Sequence, residues 1–440
     1  MNPDPFAPID PDTPLRFDHL LHLLTNFALC VAAVVVTTSA VLIYWRLRSP
    51  ETYEERFASP VRLLRWRLWA HISWQKLCKR CGLSASEQVT RRDNEGRQVM
   101  STRWFHPKLL GTEVSHTSLR LTVRARMGQT VEDLERAVPA IRDAAGAHSA
   151  RSVLVAPGTL RIELVMREQL STVGHAAPPT AVATTRVTLG RCENGKPWTL
   201  PLSGRHTLTV GCSGAGKGSV FWSIAGGLGP AVSAGVVRLV GIDLKYGIEL
   251  SVGAALFTKI AATESDAVET LAALEKLMNK RGNAMAGRTR EHSPTKASPL
   301  VVLLIDELAG VTAYMSDPAL RKAAAASLSR ILTKGRALGI VVAAFLQDPR
   351  KEVLPMRGLF TQTIALRLRS RDEVTMVLGD GMADNAPAHR ISPEKPGTGY
   401  VVAEDGQVTK VRSDYWSDEQ IRTTAKQYGR ASSPGGRAAQ

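Results

Sequence analysis

The chain has 440 residues, 44% of them hydrophobic, which is too long for one ordinary domain and too apolar for a disordered chain. A formal charge of +16 and a pI near 9.9 point to polyanionic partners, nucleic acid or an acidic membrane face. Five scattered cysteines (Cys30, Cys78, Cys81, Cys192 and Cys212) give no disulfide framework.

Residues 1–26 are acidic and Pro-rich, with four Asp against one Arg. Phe27 to Trp45 then runs for 19 residues without a charge. As a helix that is about 28 Å, enough to cross the hydrocarbon core. Tyr44 and Trp45 stand at its end as interfacial anchors, and Arg46, Arg48, Arg56 and Arg62 follow. The positive-inside rule puts the C-terminal bulk in the cytoplasm and the N-terminus outside, making the protein single-pass. A cleaved signal peptide would need a cationic n-region, which is missing, and a buried core helix is the remaining alternative.

Residues 46–116 form a basic juxtamembrane region. Across 46–126 there are 17 Lys/Arg against seven Asp/Glu. Within it, residues 61–80 interleave arginines with Trp66, Trp69 and Trp74, as in a helix lying on an anionic leaflet, though tryptophans at helical spacing also suit a core. Cys78 and Cys81 have zinc spacing but no second pair, so they read as packing residues. Residues 117–168 show a small α/β pattern. Leu119, Leu121 and Val123 alternate with polar residues, a helix opens at Thr130 with Asp133 as its capping partner, and strands at 152–156 and 159–166 flank Pro157-Gly158. An Ala/Pro/Thr-rich stretch, 169–186, reads as a linker to a motor domain at 187–421, and 422–440 as a disordered tail.

The motor carries the chemistry. Gly211-Cys212-Ser213-Gly214-Ala215-Gly216-Lys217-Gly218-Ser219 follows an apolar strand, 206–210, and opens into a helix. Such a loop turns backbone N–H groups toward phosphate oxygens, and Lys217 would reach the β- and γ-phosphates. The position after the lysine, which normally holds the Mg²⁺-binding hydroxyl, is Gly218. Ser219, one step later, is the expected substitute if the helix starts one residue late, with water as the alternative. About 90 residues on, Leu300–Ile305 is an all-apolar run ending in Asp306-Glu307. It reads as a parallel strand buried on both faces, with its carboxylates at the ligand-binding edge. Asp306 is expected to hold Mg²⁺ through water and Glu307 to orient or deprotonate the attacking water.

These motifs resemble the FtsK/SpoIIIE family of double-stranded DNA translocases. The resemblance covers residues 117–421 and includes Leu189-Gly190 with Gly195, the segment Ile242–Leu250 containing Asp243 and Lys245, Leu332–Ile340 with Gly335, Arg336 and Gly339, a strand at 341–345 ending at Gln347, and Tyr415–Ile421. It implies a RecA-like P-loop motor, ATP and Mg²⁺ as cofactors, a homo-hexameric ring and double-stranded DNA as cargo. It also implies Gln347 as a γ-phosphate sensor. Hydrolysis at a subunit interface calls for an arginine in trans, for which Arg281 is the first candidate and Arg336 the second. Lys245 would approach phosphate or brace Asp243. Arg288, Arg290, Lys296, Arg350, Lys351 and Arg357 are candidates for a DNA channel. The single anchor, the Gly-Lys-Gly-Ser loop and the Ala/Arg-rich composition are similar to transfer proteins of actinomycete conjugative elements, which implies further transfer proteins as partners. Other readings are a type VII secretion-like ATPase moving protein, a chromosome-segregation pump, or a nucleotide-binding scaffold without turnover.

Overall fold

The structure, a computed structural model, describes residues 17–92, 98–350, 356–402 and 406–429. The chain divides into two compact units, Met1–Arg126 and Met127–Gln440.

The first unit opens with helix α1 (Phe17–Arg48), which starts ten residues before the expected apolar stretch. Its segment Leu24–Arg48 is the one helix among the described residues long and apolar enough to cross a membrane. Residues 1–16 of the expected acidic N-terminus lie outside the described residues. A short α2 (Pro50–Tyr53) and a π-helical turn at Glu54–Ala58 lead into α3 (Ser59–Arg80). Two antiparallel hairpins follow, β1 (Ala85–Arg92) with β2 (Gln98–Phe105), and β3 (Lys108–Val114) with β4 (Ser118–Arg124).

On α3, Trp66 and Trp74 are buried, and the Trp74 indole donates to the Pro107 carbonyl at 2.8 Å. This corrects the interfacial reading for these two tryptophans, because both rings fill the core of their own unit. Val61, Leu64, Leu68 and Ile72 lie along the exposed side, at helical spacing. Cys78 is fully buried, and burial, with Cys81 nearby, pushes its thiol pKa up to about 12.

The second unit begins with α4 (Val131–Ala145), started by the expected capping box. The Thr130 hydroxyl accepts the Asp133 N–H, and the Asp133 carboxylate accepts the Thr130 N–H. Behind it lies the hairpin β5 (Ser149–Ala156) and β6 (Thr159–Val165). Of the elements within 117–168, β4 falls in the first unit and α4, β5 and β6 in the second.

The rest of this unit is built on a ten-stranded sheet. Its strands in chain order are β7 (Arg186–Cys192), β8 (Pro197–Pro201), β9 (Thr207–Val210), β10 (Val237–Ile242), β11 (Phe257–Ala261), β12 (Leu300–Ile305), β13 (Ile340–Leu346), β14 (Gln362–Leu366), β15 (Thr398–Val402) and β16 (Val408–Ser413). Their order across the sheet is β11-β10-β12-β13-β9-β14-β15-β16-β7-β8, parallel from β11 to β14 and antiparallel beyond.

The helices are α5 (Lys217–Gly227), α6 (Gly229–Ser233), α7 (Ile248–Ser251), α8 (Glu264–Met285), α9 (Leu308–Thr312), α10 (Pro318–Lys334), α11 (Arg371–Leu378), α12 (Met382–Asn385) and α13 (Asp418–Tyr428). Two cores sandwich the sheet. On one face Val301, Leu303 and Ile305 pack with Leu271 and Leu274 of α8 and Leu328 of α10. On the other, Val302 and Leu304 pack with Phe221 and Ile224 of α5. Covering on both faces is why β12 and β13 read as unbroken apolar runs.

Two expectations about the ends of the motor are corrected. Residues 422–428 are not a disordered tail but the body of α13, with a capping box between Ser417 and Gln420. The helix is held because Ile421 and Ala425 are buried and the Tyr428 hydroxyl donates to the Pro179 carbonyl at 2.6 Å. Residues 430–440 lie outside the described residues. The stretch 169–186 is not a free spacer either. Leu170 is buried, the Arg412 guanidinium donates to the carbonyls of Leu170 and Ser171, and Gln420 reaches the Ala176 carbonyl.

Candidate nucleotide site

The glycine-rich loop leaves β9 in the middle of the ten-stranded sheet, between β13 and β14. The Gly211 N–H donates to the Leu346 carbonyl and the Cys212 N–H to the Arg367 carbonyl, so the neighbouring strands hold the start of the loop. Cys212 and Ala215 are buried, whereas Ser213, Gly214, Gly216, Lys217 and Gly218 line a cleft of about 420 Å³. The same cleft is lined by Asp243, Lys245, Ile248, Glu249, Asp306 and Gln347. Four separate strand ends, those of β9, β10, β12 and β13, therefore deliver the expected residues to one place, the C-terminal edge of a parallel sheet.

Lys217 starts α5 and folds back on its own loop, donating to the carbonyls of Gly211 at 2.8 Å and Cys212 at 3.3 Å. Burial lowers its pKa, partly offset by Glu307 and Asp306. Glu307 caps α9 and accepts the Gln347 backbone N–H at 3.4 Å. Burial raises its pKa above the ordinary carboxylate range, against the pull of Lys245 and Lys217. A carboxylate displaced toward neutrality, beside Lys245 and Gln347 of the cleft lining, suits general-base work.

Lys245 donates to Asp306 Oδ2 at 3.0 Å and lies 3.9 Å from Glu307. It therefore contacts the acidic pair rather than bracing Asp243 through its ammonium. Burial opposes its charge, but Asp306 and Glu307 prevail and its pKa is raised. Asp243 has a different task. Its carboxylate accepts the backbone N–H groups of Lys245, Glu249 and Leu250, which folds the turn through Tyr246, whose φ is +61°. That turn carries both Lys245 and Glu249 into the cleft.

The helix begins at Lys217 rather than one residue late, and Gly218, not Ser219, is among the residues that line the cleft. The carboxylates that line the cleft are those of Asp306, Glu249 and Asp243, the last engaged by the backbone N–H groups of its own turn. Hard oxygen donors beside a phosphate loop fit Mg²⁺, which usually takes one or two carboxylates together with phosphates and water. A bound Mg²⁺ would neutralise charge on the phosphate oxygens.

Arg281, expected to act in trans, is used inside its own subunit. It is 8% exposed, and its guanidinium donates to the carbonyls of Leu338 at 3.0 Å, Gly339 at 2.9 Å and Pro299 at 2.6 Å. The loops joining α8 to β12 and α10 to β13 close over it, because a fork of N–H donors satisfies several buried carbonyls at once. Arg336 is exposed on the short 3₁₀ turn Gly335–Leu338, outside the cleft.

Of the channel candidates, Arg288, Arg290 and Lys296 are exposed, and Arg357 is half-buried. Arg350 is exposed but paired with Asp348, while Lys351 lies outside the described residues.

Three contributors were not foreseen from sequence. Arg367 donates to the Ser213 carbonyl at 2.9 Å. Gly397 donates its N–H to the Ala215 carbonyl at 2.8 Å, bracing the loop from outside. Fully buried Arg412 donates to the carbonyl of the adjoining Pro396 at 3.2 Å. None belongs to a recognisable local pattern, since each lies more than 140 residues from the loop.

A family model described as the actinomycete conjugal transfer protein N-terminal domain matches residues 38–167, and that of the FtsK/SpoIIIE family matches residues 178–378. The Transfer protein TraSA of Streptomyces ambofaciens is 24% identical over 339 residues, 70% of this chain and 79% of that one. A Sporulation regulatory protein of Streptomyces azureus is 26% identical over 232 residues, 50% of this chain and 75% of that one. Among solved structures, the monomer form of the pCW3 conjugation coupling protein TcpA with ATPγS superposes with a TM-score of 0.52 at 15% identity, over 73% of this chain and 94% of that one. The chain carries a motor domain of the FtsK/SpoIIIE family, preceded by an N-terminal domain of the actinomycete conjugal transfer type.

Proposed function

We propose that the protein is a membrane-anchored ATPase that translocates double-stranded DNA during conjugative transfer, working as a homo-hexamer with ATP and Mg²⁺. The observation that supports this reading is that Lys217 and Asp306 line one cleft at the end of parallel strands, with Glu307 next to it, 3.9 Å from Lys245 and bonded to the Gln347 N–H. Lys217 would leave its own carbonyls for the β- and γ-phosphates, Asp306 would face the metal, and Glu307 would position water for in-line attack. Likeness to TraSA and to the conjugation protein TcpA supports transfer as the setting. A charge of +16 supports a phosphate-directed grip on DNA.

The apolar segment Leu24–Arg48 would anchor the motor on the cytoplasmic side, consistent with the arginines that follow it. The arginine acting in trans would then be a residue other than Arg281, and Arg336 is the exposed candidate that remains from the sequence.

The test is the ATPase rate of the full chain with and without duplex DNA, with Glu307→Gln as control. Stimulation by duplex supports the pump. Stimulation by a small secreted protein instead would select a secretion ATPase, and an absence of turnover would select a nucleotide-binding scaffold.

A further inference from the structure

The position after Lys217 has no side chain, yet the space beside it is filled. A Cβ built on Gly218 would lie 3.1 Å from Glu249 Oε1, tighter than most packed contacts. The carboxylate of Glu249 thus borders the volume that a serine or threonine hydroxyl would enter from that position. Glu249 arrives there on the turn that Asp243 folds. Its Oε1 accepts the Trp222 indole N–H at 3.0 Å, which orients the group. Among the described residues no donor is recorded on its Oε2. Glu249 and Gly218 line the same cleft as Asp306.

We propose that the Glu249 carboxylate replaces the missing hydroxyl as an oxygen ligand, direct or through one water, of the Mg²⁺ that accompanies the nucleotide. The proposal rests on the nucleotide-site reading above. It explains both halves of an exchange. A glycine follows the lysine because a larger residue would press on Glu249, and the oxygen lost with the hydroxyl is supplied from the neighbouring turn. It also takes the place expected for Ser219, which is not among the residues that line the cleft.

Electrostatics agree with this placement. Burial raises the Glu249 pKa; the Trp222 bond opposes the rise, whereas Asp306 and Asp243 add to it. Carboxylates that destabilise one another around a phosphate loop are relieved by a divalent cation.

The test uses the full chain in detergent, a fluorescent non-hydrolysable ATP analogue, and Mg²⁺ or Mn²⁺ as titrant, with bound Mn²⁺ followed by electron paramagnetic resonance. Glu249→Ala and Glu249→Gln should raise the metal midpoint about tenfold or more, since losing even an outer-shell partner costs about 10- to 100-fold in metal affinity. Affinity for the analogue without metal should not fall below the wild-type value, since the variants remove a negative charge from beside the phosphates. Adding Gly218→Ser to Glu249→Ala should bring the midpoint back toward wild type, because the serine then has both room and a role. Glu249→Gln can keep the indole bond, which guards against misreading a folding defect as metal loss. Wild-type midpoints in both Glu249 variants would overturn the proposal while leaving the nucleotide site standing. A wild-type chain that binds no analogue at any metal concentration would overturn the site itself.

Discussion

A Cβ on Gly216 would fall 2.1 Å from the backbone nitrogen of Gly397, so the phosphate loop and a turn 181 residues away fit only as a pair of glycines. Both also have left-handed backbones, with φ of +94° and +78°. At Gly397 an added Cβ would meet the Ser413 hydroxyl at 2.4 Å. Gly397→Ala should therefore cost about 1–3 kcal/mol in stability and weaken nucleotide binding, though it lies outside the phosphate-loop motif. Thermal unfolding with and without ATP checks both effects. A wild-type melting curve with a wild-type ATP shift would remove Gly397 from the support of the loop.

The division of labour between Lys217 and Glu307 predicts different losses. Lys217→Ala should abolish nucleotide binding. Glu307→Gln should retain it while turnover falls by about a hundredfold or more, the usual scale for losing a general base. Equilibrium binding and steady-state hydrolysis on the same preparations separate the two. Near-normal hydrolysis in Glu307→Gln would assign the water-positioning role elsewhere.

Arg281 should behave as a structural residue. Removing its guanidinium takes this donor from the Pro299 and Leu338 carbonyls, while that of Gly339 keeps the Val301 N–H, so Arg281→Ala should destabilise the motor by about 1–3 kcal/mol. Mixing experiments distinguish this from a role in trans. Subunits that carry Arg281→Ala but remain folded should not poison wild-type neighbours, whereas loss of a donated arginine would.

His206 gives the motor an acid sensitivity. It is fully buried, and its Nδ1 accepts the Val342 N–H at 2.9 Å. Burial, reinforced by the charge of Arg336, lowers its pKa to about 4. The unfolded chain takes up this proton below about pH 6.5, and the folded chain only near pH 4. Stability is therefore fully present above pH 6.5 and lost as pH falls toward 4, by on the order of 3 kcal/mol. Melting temperatures across that window should slope less in His206→Asn than in wild type. An identical slope would place the acid sensitivity in other groups.

DNA binding should prefer duplex, fall steeply with salt and be nearly blind to sequence. Affinity gained by Lys and Arg from counterion release depends on phosphates, about one ion per contact. Competition between random duplexes and the element's own transfer region, at two salt concentrations, measures this. Preference beyond about tenfold for one short site would require a base-reading element.

Local rules were sufficient wherever a residue acts on its near neighbours. The Thr130/Asp133 capping box, the apolar strand Leu300–Ile305 and the strand-loop-helix around Lys217 were all legible, because caps, periodicity and phosphate loops are short-range patterns. Long-range closure was not. Arg281 carries no sequence mark that separates a donated arginine from one spent on the carbonyls of Pro299, Leu338 and Gly339. Trp66 and Trp74 sit in a pattern that serves a membrane surface and a protein core equally, and only packing placed them inside.

The chemistry of this protein, a phosphate loop with a carboxylate pair, was determined by sequence alone, because each motif concentrates its donors within a few residues. Tertiary structure decided which oxygen stands beside Gly218, which glycine braces Gly216, and that Gly218 rather than Ser219 lines the cleft. Those choices depend on the angle at which α5 leaves β9 and on the turn that Asp243 folds. Neither is encoded in a single segment, since backbone atoms from distant strands meet there only after the sheet has closed.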